Sequence, residues 1–132
     1  MLTAQQKRIH LREGLEHLRK GEFFAAHEAW EIPWMEMTGA SRIFWQAMIQ
    51  LSVGAYHYRN NNLNGCRNLW QKALARCEIL LAEKTVTNRS IVSSLRGLLE
   101  QCLGQVNQEG DPIGIIHDFS LEQMNDAWID FG

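Results

Sequence analysis

Leu11, Leu15 and Leu18 recur at i, i+4 and i+7, the spacing that places side chains on one face of an α-helix. Thr3 followed by Gln6 has the capping-box spacing, so this first helix is expected to begin at Ala4. Lys20-Gly21 ends it with a basic residue and a glycine stop. A second helix starts near Glu22 and is expected to end before Pro33, because proline disfavours the helical conformation of the residue preceding it. Met35 to Ala40 reads as a connection with Gly39 as its flexible point, and Ser41 as the cap of a third helix. From Arg42 to about Arg59 the apolar positions Ile43, Phe44, Trp45, Met48, Ile49, Leu51, Val53 and Tyr56 point in every direction. Such a helix is covered by neighbours on several sides.

Asn60-Asn61-Asn62 marks a turn, and Asn64 is the expected cap of a fourth helix. Cys66, Leu69, Ala73, Cys77, Leu80 and Leu81 form its apolar stripe, leaving Arg67, Lys72, Arg76 and Glu83 for solvent. Thr85 to Ser90 breaks the pattern. A fifth helix from about Ile91 carries Val92, Leu95, Leu99, Cys102 and Val106 on one side. Gly110-Asp111-Pro112 is a strong stop. The run Ile113-Gly114-Ile115-Ile116 is too isolated for a sheet and reads as an extended arm lying on the helices. Ser120 with Gln123 repeats the capping-box spacing, which suggests a last short helix over Leu121 to Ala127. No internal repeat stands out at solenoid periods and no linker divides the chain. The expectation is an all-α fold over residues 1–132: a single antiparallel helical bundle of about five helices with a short C-terminal arm and helix.

Polar side chains interrupt this pattern where a plain core would carry leucine. His27 and Glu31 are four apart on the second helix and share a face, with Glu28 one step round. On the third helix Gln46, Gln50 and His57 fall on one stripe. If the two helices pair antiparallel, His27 and Glu31 meet Gln50 or His57, and an imidazole, a carboxylate and amides can satisfy one another's donors and acceptors. Two roles follow for His27, Glu28, Glu31, Gln46, Gln50 and His57. One is a buried polar cluster that fixes the pairing of the helices. The other is a site that leaves a partner open for a ligand, or for catalysis with Glu28 or Glu31 as base and His27 or His57 beside it.

No cofactor is expected. A divalent metal on His27, Glu31 and His57 is the alternative, yet His27-Glu28-Ala29-Trp30-Glu31 lacks the second histidine of the H-E-x-x-H zinc motif, and the paired E-x-x-H motifs of di-iron bundles are absent. His10, Glu13 and His17 also share a face, which the amphipathic pattern assigns to solvent before metal. The tryptophans are first of all packing. Trp70 and Trp34 are the candidates for facing a second copy of the chain, since aromatics are enriched in interface cores.

With 132 residues, 45% of them hydrophobic and 21% charged, the chain has the makeup of one globular domain with a single core. The formal charge of −2 provides no clustered basic face, so nucleic acid is disfavoured as a partner. No apolar run is long enough to span a bilayer, and the segment from Met1 to Arg8 lacks the apolar stretch of a secretory signal. A cytoplasmic protein without membrane association is expected. Cys66, Cys77 and Cys102 match no zinc or redox spacing and read as small buried hydrophobes.

The stretch Gly21-x-Phe23-Phe24-x-Ala26-His27-Glu28-x-x-Glu31-x-x-Trp34, followed by Gln46-Ala47-Met48-Ile49-Gln50-Leu51-x-Val53-x-x-Tyr56-His57 and Asn64-Gly65, resembles the small bacterial helical family known as domain of unknown function three hundred and nine. The resemblance covers about Gly21 to Leu81. It implies an all-α core in which the H-E-x-x-E helix packs on the Q-x-x-x-Q helix, and it implies no activity. The chain departs from the family pattern at Pro33 and at Ala47-Met48, where the family often reads Gly-Leu. The functional expectation is a binding or assembly module for a small polar ligand or a protein partner, including a homo-oligomer. The alternative is an enzyme with a Glu/His acid-base pair performing metal-assisted hydrolysis.

Overall fold

The structure, a computed structural model, describes residues 1–124 and 131. Six helices follow one another in it: α1 (Ala4–Arg19), α2 (Phe23–Trp34), α3 (Gly39–Arg59), α4 (Leu63–Ala82), α5 (Arg89–Asn107) and α6 (Ile113–Glu122). No strand occurs among the described residues, and no helix among them is long and apolar enough to cross a membrane. The capping box forms as the spacing requires: the Gln6 amide donates to Thr3 Oγ1 at 3.1 Å and the Thr3 amide donates to Gln6 Oε1 at 2.8 Å.

Several boundaries differ from expectation. Helix α2 runs through Pro33 to Trp34, since a proline in the last turn removes a single intrahelical donor and the Met35 amide still closes that turn on Glu31 O at 3.1 Å. Helix α3 begins at Gly39 after Thr38, and the Ser41 hydroxyl, expected to be its cap, accepts instead from the Phe131 amide at 3.0 Å. The cap of α4 is Asn62, whose Oδ1 accepts from the Gly65 amide at 3.0 Å, and not Asn64. Ile113 to Ile116 is the first turn of α6, not an extended arm. Asp111 Oδ1 accepts the Ile113 amide at 2.9 Å, and burial of Ile116 and Phe119 follows a helical step. Ser120 therefore lies inside α6, its hydroxyl donating to His117 O at 2.7 Å, and caps nothing. The part of the expected last helix beyond residue 124, and Trp128, lie outside the described residues.

The two leading helical hairpins, α1–α2 and α3–α4, are built on the same plan forty positions apart, which corrects the expectation of no internal repeat. The Trp30 indole N–H donates to Leu11 O and the Trp70 indole N–H donates to Leu51 O, each at 3.0 Å. Both indoles lie against a glycine one turn further on. A Cβ at Gly14 would sit 2.1 Å from Trp30 Nε1, and one at Gly54 would sit 2.3 Å from Trp70 Nε1. The turns match too. Gly21 and Asn61 take left-handed φ values of 75° and 59°, and the next amides, of Glu22 and Asn62, donate back to His17 O and His57 O at 2.8 Å each. Together with the Gly21 to Leu18 and Asn61 to Tyr58 bonds, these are Schellman endings. The α5–α6 turn has the same ending with Glu109 at φ 61°, the Gly110 amide reaching Gln105 O at 2.7 Å.

Trp30, Trp45, Trp70, Phe44, Met48, Leu51, Leu95, Leu99 and Ile116 fill the centre. Burial of such surface supplies roughly 25 cal/mol per Å². Helices from α1 to α5 pack in chain order, and α6 touches both α5 and α1. It is fastened to α1 by Arg19, which donates from Nε and Nη2 to Ser120 O at 3.2 Å, and by His117 Nδ1, which donates to Arg19 O at 3.0 Å. The three cysteines are free and buried. Burial pushes each thiol up to about 12, so they remain protonated and inert.

Candidate functional site

Helices α2 and α3 pair antiparallel. Trp34 Nε1 donates to Arg42 O at 3.0 Å near one end, the Trp30 and Trp45 rings lie 5.5 Å apart further along, and Phe24 meets Tyr56 at 5.2 Å at the other end. No hydrogen bond joins His27, Glu28 or Glu31 of α2 to Gln46, Gln50 or His57 of α3. His27 Nδ1 donates to Phe24 O at 2.6 Å, and because that carbonyl can only accept, Nδ1 carries the proton. His27 Nε2 is 3.4 Å from Glu31 Oε1, an attractive contact only when the imidazole is charged. With the Glu31 side chain 51% exposed, the pair has the modest value of a surface ion pair.

Glu28 and Glu31 are exposed, His27, Gln46 and His57 are partly covered, and Gln50 alone of the six is buried. The buried His/Glu/Gln cluster expected from sequence is thus corrected: both acids face solvent, where their charges keep their hydration. Gln50 Oε1 is buried without a hydrogen-bond partner. His57 does not reach His27. Its Nδ1 lies 3.4 Å from Asn62 Nδ2, across the turn that follows α3, just as His17 Nδ1 lies 2.9 Å from Glu22 Oε1 across the turn that follows α1. Two rings stand between the imidazoles: His27 to Phe24 at 4.6 Å, Phe24 to Tyr56 at 5.2 Å, and Tyr56 to His57 at 5.9 Å. Phe24 and Tyr56 are the members of this row that sequence reasoning missed. The available signal was that Phe24 falls one step off the buried stripe Phe23, Ala26, Trp30, Pro33.

Among the described residues no three His, Cys, Asp or Glu side chains converge as a metal-holding group. Neither the His27, Glu31, His57 set nor the His10, Glu13, His17 face is assembled for a metal. Trp70, a candidate for facing a second copy, is fully buried as packing and bonded to Leu51 O. Trp34 is partly covered by the Arg42 guanidinium, 3.8 Å above its ring.

All six candidate residues and both rings fall in one segment of the chain. Residues 11–69 match a domain of unknown function (DUF309). The chain therefore resembles DUF309 over a span that starts within α1, ten residues before Gly21, and stops at Leu69 rather than Leu81. No curated protein and no solved structure matches the chain.

The hairpin plan provides an internal comparison for the DUF309 segment. Along the outer face of α2, Phe24, Ile32 and Met35 are 47%, 46% and 73% exposed. Their counterparts forty positions on are Asn64, Lys72 and Ala75, and the counterpart of exposed Tyr56 on α1 is Glu16. Glu16, Asn64 and Lys72 are polar where the other hairpin carries Tyr56, Phe24 and Ile32, and Ala75 is a smaller apolar residue in the place of Met35. Glu28, Glu31 and Glu36 lie among the apolar residues of α2 and its end, all exposed.

Proposed function

We propose that the chain is a protein-docking module, and that the outer face of α2 with Tyr56 of α3 is its contact surface. The observation that carries this reading is the contact of the exposed Phe24 and Tyr56 rings, with exposed Ile32 and Met35 further along beyond Glu28, at positions whose counterparts in the other hairpin are Asn64, Glu16, Lys72 and Ala75. Exposed large apolar side chains gathered on one face mark interaction sites, and such side chains are the anchors from which interfaces draw most of their energy. Glu28, Glu31 and Glu36 give the rim a negative sign, which favours a partner segment with an apolar anchor flanked by lysine or arginine. Like charges on two identical faces oppose a second copy of the chain.

Selection of a displayed random-peptide library on the purified protein tests the reading. Enriched peptides should carry an aromatic or aliphatic anchor between basic residues, and should bind Phe24→Ser or Tyr56→Ser at least about tenfold more weakly. Phe24 and Tyr56 are 47% and 38% exposed, so either change should lower melting by no more than a few degrees and leave the fold intact, far short of a loss of binding through unfolding. Peptides that hold the Phe24→Ser protein as tightly as the original overturn the assignment of the face. A dimer in sedimentation that Phe24→Ser dissociates replaces the foreign partner with a second copy.

A further inference from the structure

His27 brings a single acceptor to the face that carries Phe24 and Tyr56. Its Nδ1 proton is committed to Phe24 O at 2.6 Å, so in the neutral imidazole the lone pair is on Nε2. Glu31 Oε1 stands 3.4 Å from that nitrogen. A carboxylate oxygen also accepts, and two acceptors then face one another with no donor between them. The pair adds little to the fold, because the Glu31 side chain is half exposed and such contacts are weak in solvent. Its geometry instead suits a donor that arrives from outside.

The surroundings favour one kind of donor. The His27 side chain is 13% exposed and packs edge-on against Phe24 at 4.6 Å, which in turn meets Tyr56 at 5.2 Å. A hydrogen bond to a largely covered nitrogen is electrostatically stronger than one made in open water. Glu28, exposed one step round α2, adds to the negative field. Two neighbouring acceptors match the parallel N–H fork of a guanidinium, whereas the donors of an ammonium diverge. The methylene stem and flat head of an arginine also pack well on rings such as Phe24 and Tyr56.

The second hairpin supplies a contrast. Forty positions on, His27 and Glu31 are replaced by Arg67 and Gln71, and Arg67 Nε donates to Asn107 Oδ1 of α5 at 3.0 Å. There the chain carries its own guanidinium and satisfies it internally. In the first hairpin the same positions carry acceptors.

We infer that His27 Nε2 and Glu31 Oε1 together seat an arginine side chain of the partner segment, whose apolar anchor lies on Phe24 and Tyr56. The inference rests on the docking reading for its partner. It adds the residue type that the face selects, arginine over lysine, and the two atoms that select it.

The capped dipeptide acetyl-Leu-Arg-amide is the probe, titrated into the full chain at about pH 8.5, above the range in which imidazoles ordinarily change charge. Nitrogen-edited NMR spectra of the histidine rings should show Nε2 of His27 unprotonated in the free protein and moving with saturation, while Nδ1 keeps its proton. The citrulline and lysine analogues should bind at least about fivefold more weakly. Glu31→Gln should weaken the arginine dipeptide by about fivefold or more. Glu28→Gln removes the same charge from a neighbouring exposed position and should cost less than about twofold. Absence of saturable binding, equal affinity for the arginine, lysine and citrulline forms, equal losses in Glu28→Gln and Glu31→Gln, or an unmoved Nε2 resonance would each overturn the seat. A failed docking reading looks different: library peptides would then hold the Phe24→Ser protein as tightly as the original, whatever the dipeptides do.

Discussion

Replacement of Gly54 by alanine tests the packing plan at its tightest point. The new Cβ would lie 2.3 Å from Nε1 and 2.4 Å from Cδ1 of Trp70, distances that no carbon tolerates. Trp70 is fully buried and its N–H is committed to Leu51 O, so the indole cannot swing away without losing that bond and displacing its neighbours. Overpacking of this kind costs about 1–3 kcal/mol, and a lost buried hydrogen bond adds about 1 kcal/mol. Against this, alanine gains about 1 kcal/mol of helix propensity over glycine. The balance is a destabilisation of about 2 kcal/mol, read by urea unfolding, with a melting temperature lower by several degrees. Gly14→Ala, with Trp30 Nε1 at 2.1 Å, should behave alike. Gly97→Ala and Gly104→Ala in α5 meet nothing within 4 Å and should instead stabilise by about 0.5–1 kcal/mol. A Gly54→Ala protein as stable as the original, or one that shifts in the same direction as Gly97→Ala, would refute the close approach and with it the equivalence of the hairpins.

Glu109 adopts φ 61° at the end of α5, where glycine is free of the Cβ penalty, so Glu109→Gly should raise stability by about 1 kcal/mol in denaturant titrations. The hydrogen bond from His17 holds the Glu22 carboxyl below its ordinary value. The stabilisation this implies is complete above the unfolded carboxylate's value and disappears as pH falls through the lowered one. Urea unfolding of Glu22→Gln across that acid range should show a flatter profile than the original, converging with it at the lowest pH. None of the three buried thiols should react with a disulfide reagent in the native protein, and all three should react in guanidinium. Rapid native labelling of Cys66, Cys77 or Cys102 would contradict their burial.

Local signals carried well into the structure and long-range ones did not. The Thr3 cap, the glycine stop at Gly21 and the four-residue spacing of His27 and Glu31 depend on residues a turn apart, and all three geometries are present. His57 failed for the opposite reason. A helical stripe says which side of α3 a residue occupies, but the register of α2 decides what stands across from it, and that register puts Phe24 and Tyr56 between the two imidazoles. The hairpin repeat was visible in principle as Gln6, Ile9, Leu11, Gly14, His17, Arg19 and Trp30 recurring at Gln46, Ile49, Leu51, Gly54, His57, Arg59 and Trp70. These scattered positions include the groups that pin one helix to the next, while the faces between them diverged. The helical nature of Ile113 to Ile116 was hidden because four apolar residues fit a strand or one turn of helix equally well.

The return of α6 to α1 sets a limit on the architecture. A stack of helical hairpins can ordinarily grow by adding units, since each unit leans only on its neighbours. Here α6 is tied back to α1 through Arg19, Ser120 and His117, so an inserted hairpin would carry α6 out of reach of its anchor. The array is closed rather than open-ended, and its number of units is fixed by that clasp.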